Sequence, residues 1–312
     1  MTKRYFPEGE LLNSAFNDEY TRTPAGLERA MEEGVILEGR AVLCDSEHNL
    51  YVDFGNFKGI IPREEAAYNP AGGEVKDIAV ITRVGKSVCF KIMSVEDTDS
   101  GTKILLSRKE AQRQCCENYI SLLQCGDVID AYVTHMEQFG AFCDIGCGMI
   151  ALLPVDCISV SRISHPSDRF VCGQKIRCVV KNTEPDICRI TLTHKELLGT
   201  WEENARLFKA GETVAGIIRS VEPYGVFVEL SPNLAGLAEY CEGVSVGQTA
   251  AVYIKSIIPE KMKIKLVIVD VSDRFADNDS LHYMFDQNHM DIWRYSPEGC
   301  VKEIYTDFWN FS

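Results

Sequence analysis

Apolar and polar residues alternate over residues 38–45, 128–136 and 214–221, and a period of two predicts a half-buried strand at each place. A ring-bearing segment follows each strand. Phe139-Gly140-Ala141-Phe142-Cys143-Asp144-Ile145 returns 85 residues later as Tyr224-Gly225-Val226-Phe227-Val228-Glu229-Leu230. A weaker copy, His48-Asn49-Leu50-Tyr51-Val52-Asp53-Phe54, lies 91 residues upstream. A short apolar strand comes next: Gly59-Ile60-Ile61-Pro62, Ala151-Leu152-Leu153-Pro154 or Gly236-Leu237-Ala238. Two more strands close each copy, at 88–95 with 103–107, 175–182 with 189–193, and 249–258 with 263–268. Five short strands, repeated about every 85 residues, predict small closed antiparallel barrels. A sandwich domain would need more strands per unit.

The intervening stretches read as helices. Thr23 caps a helix with Pro24 at its first position, running through Leu27 and Met31 to Gly34. Ala111, Cys115, Asn118 and Leu122 fall at turn spacing within 107–124. Leu197, Leu198, Trp201, Ala205 and Phe208 do the same within 196–209. The first copy has an extra segment, 66–84, whose Pro70-Ala71-Gly72-Gly73 and apolar run 78–81 predict an added loop and strand. The resulting division is an N-terminal helical segment 1–33, barrels at 34–109, 125–195 and 210–272, helical linkers at 110–124 and 196–209, and an extension 273–312.

That extension carries Tyr283, Phe285, Trp293, Tyr295, Tyr305, Phe308, Trp309 and Phe311, too many rings for a solvating tail. Two readings stand open. Residues 293–305 form a hairpin on the third barrel, turning at Ser296-Pro297-Glu298-Gly299, or the rings form a face that docks a protein.

Charge narrows the choice of ligand. The 312 residues carry a net −14, which opposes non-specific coating of nucleic acid, so any such ligand must be held locally. Between residues 126 and 195 seven basic side chains face eight acidic ones, a net of −1; the third repeat has −2 and the first −3. The second repeat is therefore the best candidate for a polyanion. Its loop Arg162-Ile163-Ser164-His165-Pro166-Ser167-Asp168-Arg169 offers His165 and Arg169 for backbone contacts, with Arg177 in the strand that follows. The alternative is a solvated loop in which Asp168 neutralises an arginine.

Thirteen dispersed cysteines, an odd number, suit a reducing compartment. No apolar run reaches the roughly 18 residues of a membrane helix, and no apolar stretch follows Lys3 and Arg4, so the expected location is the cytoplasm with no membrane contact. Signals for other chemistry fail on spacing. Gly85-Lys86-Ser87 has Val80 where a phosphate-binding loop needs its first glycine. Cys143 and Cys147, with His135, lack the paired spacing of a zinc site. Ser164-His165 has no oxyanion signature beside it. Neither an enzyme nor a cofactor is expected.

The repeated ring segment, and Arg189 or Lys263 ahead of Ile-x-Leu, resemble the RNA-binding domain of the large small-subunit ribosomal protein S-one, an OB-fold. Leu198-Gly199-Thr200-Trp201-Glu202 and Trp293-Arg294-Tyr295-Ser296-Pro297 are similar to three-repeat S-one-like proteins of clostridial-type bacteria. The likeness spans residues 34–272 and implies an all-β protein: three tandem five-stranded OB-fold barrels joined by short helices, with a small N-terminal helix and an aromatic-rich C-terminal extension.

In that family two rings stack on unpaired bases and a basic residue of strand five contacts the backbone. The resemblance thus implies Phe139, Phe142 and Arg189 in the second barrel, and Tyr224, Phe227 and Lys263 in the third. In the first it implies Tyr51 and Lys103, with His48 at the other ring position and Asp99 as acidic partner. The family's histidine after strand three is replaced here by Pro62, Pro154 and Glu239. The implied function is binding of single-stranded RNA, specifically messenger RNA, in translation or its regulation, with the small ribosomal subunit as a partner. The competing reading is an acidic scaffold for proteins.

Geometry constrains the rings independently. Positions three apart on a regular strand face opposite ways, so Phe139 and Phe142 share a surface only if Gly140 breaks the strand with a bulge or bend. Otherwise one ring of each pair, Phe142 or Phe227, plugs its barrel core.

Overall fold

In the computed structural model, residues 5–98, 101–275 and 281–309 are described, and Asp99 and Phe311 lie outside them. Two helices come first, α1 (Ala15–Thr21) and α2 (Pro24–Glu33). Thr23 caps α2 by accepting the Gly26 N–H at 3.2 Å, and Gly34 ends it at φ 63°. The alternating segments then form β1 (Leu37–Cys44), β2 (Leu50–Phe54) and β3 (Phe57–Ile61). After α3 (Asp77–Ile81) come β4 (Ser87–Thr98) and β5 (Gly101–Ser107).

The linker helix α4 (Arg108–Asn118) leads into β6 (Val128–Glu137), β7 (Gly140–Asp144), β8 (Ile150–Pro154), β9 (Lys175–Glu184) and β10 (Arg189–Thr193). After α5 (Trp201–Ala205) follow β11 (Thr213–Glu222), β12 (Gly225–Ser231), β13 (Leu234–Ala238), β14 (Gln248–Ile258) and β15 (Lys263–Phe275). Each group of five closes on itself in one order, the first strand beside the second, then third, fifth and fourth. Closure leaves no exposed sheet edge. The protein is all-β, three tandem five-stranded barrels with short helices between them.

The chain divides into two compact units. One holds residues 1–123 with 144–151 and 183–190; the other holds 124–143, 152–182 and 191–312. Leu37, Leu50, Val52, Ile61, Val88, Phe90 and Leu106 fill the core of the first barrel. Ile218, Val226, Val228, Val252, Ile254 and Leu266 fill that of the third.

Three sequence expectations need correction. The apolar run 78–81 belongs to helix α3 rather than a strand, because only Val80 is buried while Ile78 and Ile81 face solvent. The linker at 196–209 is not one helix. Gly199 takes φ 84° and breaks it, and Thr200 and Glu203 start α5 as a capping box. The thiols are not all free either: Cys116 of α4 and Cys188 of the β9–β10 turn are joined, with Cα atoms 6.1 Å apart.

The extension does form a hairpin, β16 (Ile292–Arg294) pairing with β17 (Tyr305–Asp307). Trp293, Tyr295 and Phe308 are buried in the core cluster that contains Ile218 and Leu266. The extension also reaches the second barrel, where the Tyr283 hydroxyl accepts the Arg177 N–H at 3.0 Å. Most rings expected to dock a partner are thus spent inside the protein, leaving Tyr305 and Trp309 exposed among the described residues.

Candidate nucleic-acid interface

The strand hairpin β11–β12 turns in two residues, since Glu222 pairs with Gly225. Tyr224 occupies that turn and Phe227 the third residue of β12. The second barrel repeats this with Gln138-Phe139 as the turn between β6 and β7, and Phe142 on the strand. Both rings therefore reach one surface because the first is on the turn, not through a bulge beneath the second. The glycine has a different task. A Cβ on Gly140 would lie 2.6 Å from the Leu153 carbonyl oxygen, and one on Gly225 would collide with that of Ala238.

Phe139 is 57% exposed and Tyr224 68%, while Phe142 and Phe227 are half-buried. Each pair meets edge to face, with centroids 5.8 Å and 6.2 Å apart and planes near perpendicular. His135 adds a third ring in the second barrel, stacked on Phe142 at 6.1 Å, and its Nε2 lies 2.7 Å from Glu137. No sequence motif marked His135 as part of this surface; its register opposite Phe142 did so.

The first barrel differs at the same place. Cys44 pairs with Leu50, so a five-residue loop replaces the two-residue turn. Asp45 organises that loop, accepting the N–H groups of Glu47 and Asn49 at 2.9 Å each. The Asn49 bonds, with a smaller share from Tyr51, hold the Asp45 carboxyl below its ordinary range. His48 sits at φ 64° with Nδ1 3.7 Å from Asp77 of α3, and Asp77 accepts from Arg63 at 2.8 Å. The inserted helix thus supplies a carboxylate that engages the loop where the other barrels present a free ring.

The remaining expected residues separate into two groups. Arg189, Lys103 and Lys263 are exposed, Arg189 with an ion pair to Glu184 at 3.6 Å. His165 is half-buried and caps a 3-10 turn, its Nδ1 accepting the Ser167 N–H at 3.1 Å. Arg169 is 7% exposed and grips Glu229 with two bonds of 2.9 Å, while Arg219 holds the same carboxylate at 3.0 and 3.2 Å. Arg177 donates to the carbonyls of Phe285 at 2.7 Å and Gln287 at 3.0 Å. Arg169 and Arg177 are therefore removed from the expected site, because internal acceptors occupy their donors.

Register identifies a residue the sequence reading missed. Phe227 pairs with Leu237 and Leu237 with Lys265, so ring, leucine and lysine lie in one outward row across β12, β13 and β15. The corresponding row in the first barrel is Tyr51, Ile60 and Leu105.

A family model for the S1 RNA-binding domain matches residues 123–195. The second barrel is an S1 domain. The chain is 29% identical over 227 residues to the small ribosomal subunit protein bS1 homolog of Bacillus cereus, which covers 69% of this chain and 57% of that protein. It is 27% identical over 223 residues to bS1 of Staphylococcus aureus, at 69% and 54%. The chain thus spans little more than half the length of these curated relatives. An S1-like stretch also matches 4-hydroxy-3-methylbut-2-enyl diphosphate reductase of Clostridium tetani, 29% identical over 205 residues but only 32% of that chain. The first and third barrels share the strand order of the S1 domain. No helix among the described residues is long and apolar enough to cross a membrane.

Proposed function

We propose that this chain binds single-stranded RNA without catalysing a reaction on it. The observation that carries this is the repeated pair of edge-packed rings, Phe139 with Phe142 and Tyr224 with Phe227, whose turn member stands in solvent on an acidic protein. Such rings lose apolar hydration when a base stacks on them, a gain of about 1 to 3 kcal/mol per base that any base can supply. Arg189 in the second barrel, and Lys263 and Lys265 in the third, supply exposed positive charge for phosphates.

Two modest sites on one chain raise each other's effective concentration, so affinity for a long strand exceeds that of either barrel. The similarity to bS1 proteins supports messenger RNA as the ligand, the small ribosomal subunit as the setting and the cytoplasm as the place. Replacing Phe139, Phe142, Tyr224 and Phe227 together by alanine is expected to weaken binding of an unstructured RNA about 100-fold, from two lost stacks of at least about 1.4 kcal/mol each. Fluorescence anisotropy at low salt measures this; unchanged affinity in a folded variant refutes the stacking surface.

A further inference from the structure

The third barrel concentrates lysine where the others do not. Lys255 on β14 and Lys263 and Lys265 on β15 are exposed, and residues 253–258 and 263–267 include no acidic side chain. Ile254, Ile264 and Leu266 between them are buried, so strand alternation turns the lysines outward. The ladder contains a bulge: Ile254 pairs with Leu266 and Ser256 with Lys265, leaving Lys255 as the extra residue opposite Lys265.

Like charges facing each other across neighbouring strands destabilise a sheet. None of the three lysines has an ion-pair partner among the described residues. The bulge residue and its opposite number are Met93 and Leu105 in the first barrel. Aligning Val180 with Ile254, whose carbonyls accept Gly126 and Gly211 N–H groups at 2.8 Å, gives Lys181 and Thr191 in the second. There Lys181 reaches the Cys157 sulfur at 3.1 Å. The opposed, unneutralised pair belongs to the third barrel.

Two rings bracket this pair. On one side Lys265 adjoins Leu237, which is 37% exposed and adjoins Phe227. On the other, Tyr253 pairs with Val267, and both are 40% exposed. Row by row the outward face therefore reads ring, leucine, two lysines, tyrosine. We infer that β14 and β15 form a second RNA track on the third barrel, where a phosphate of the strand leaving Tyr224 and Phe227 lies between Lys255 and Lys265 and a following base stacks on Tyr253. This rests on the RNA-binding reading and extends it to strands that the ring pairs do not reach.

Oligouridylates of about 5 and about 15 nucleotides, titrated against the intact chain, test it. The double variant Lys255→Ala/Lys265→Ala is expected to bind the short RNA as the wild type does. It should bind the long one about 5 to 10 times more weakly, with a log–log salt slope shallower by about 1.4, or 0.7 for each lost phosphate contact. Lys255→Arg/Lys265→Arg should keep the wild-type slope, and Tyr253→Leu should weaken only the long RNA without altering the slope. If the alanine pair leaves long-RNA affinity and slope intact while the ring variants still weaken binding, the track is wrong and the lysines serve an acidic protein surface. If the wild type binds neither oligomer, the RNA reading falls, and the track with it.

Discussion

The first and third barrels share one strand order yet treat the same two positions in opposite ways. In the third, a two-residue turn leaves Tyr224 in solvent and a single carboxylate, Glu229, is buried between Arg169 and Arg219. In the first, a longer loop turns inward on Asp45 and α3, while Asp53, at the place of Glu229, meets only Lys58 at 3.7 Å. Closing the sheet fixes the backbone path and leaves the outward side chains free to serve either binding or internal bonding.

The largest expected contrast is in stability. Glu229→Gln leaves two guanidiniums buried without their counter-charge and should lower the stability of its unit by about 3 to 5 kcal/mol. Asp53→Asn, at the half-exposed equivalent, should alter stability by less than about 1 kcal/mol. Urea unfolding followed by tryptophan fluorescence suits the first variant, because Trp201, Trp293 and Trp309 all lie in the unit that contains Glu229. Equal losses in both variants, the second followed by hydrogen exchange, would erase the contrast.

Next is an opposite response to pH. His194 is fully buried, its Nδ1 2.8 Å from the Ile158 carbonyl, and burial pushes it down to about 4 from 6.5. The folded form binds this proton more weakly than the unfolded chain. Its contribution of about 3 kcal/mol is therefore present above pH 6.5 and lost as pH falls toward 4. Glu38 of β1 is buried beside the Gly9 N–H and is pushed up to about 7 from 4.5. It has the reverse sign: its contribution is present below pH 4.5 and lost as pH rises through 7. Hydrogen exchange, corrected for the intrinsic rate, should show β1 and β4 better protected at pH 5 than at pH 7.5 and β8 to β10 worse. The same trend in both regions would contradict the assignment.

The smallest effect concerns RNA itself. Tyr51→Ala and Asp77→Ala should each change affinity for a long unstructured RNA by less than about twofold, against the roughly 100-fold loss from the four rings of the other barrels. A large loss in either variant, read by anisotropy, would restore the first barrel to the interface.

Much of the fold was legible because it depends on local rules. Alternation marked the strands, Thr23 and Pro24 marked the start of α2, and Ser107 capped α4 by accepting the Glu110 N–H. The Thr200-x-x-Glu203 capping box was also legible, and it overrides the continuous apolar spacing of 196–209 once Gly199 is given its break. The run 78–81 misled because four apolar residues fit a strand and a helical turn equally well. At the interface, Phe139, Phe142, Tyr224 and Phe227 stood out by repetition. Arg169 and Arg177 misled because a basic residue near a rim looks the same in sequence whether or not an acceptor is folded against it.

By itself, the sequence determined that there are three barrels, where their strands run, and which turns carry rings, since periodicity and turn chemistry act over a few residues. Tertiary structure alone decided which charged side chains remain available. Glu229 lies 60 residues from Arg169, and Phe285 lies 108 from Arg177. Lys265 joins the row of Phe227 only through the register of β13 beside β15. Partners so distant along the chain meet through sheet closure and strand pairing, and no local pattern records that meeting.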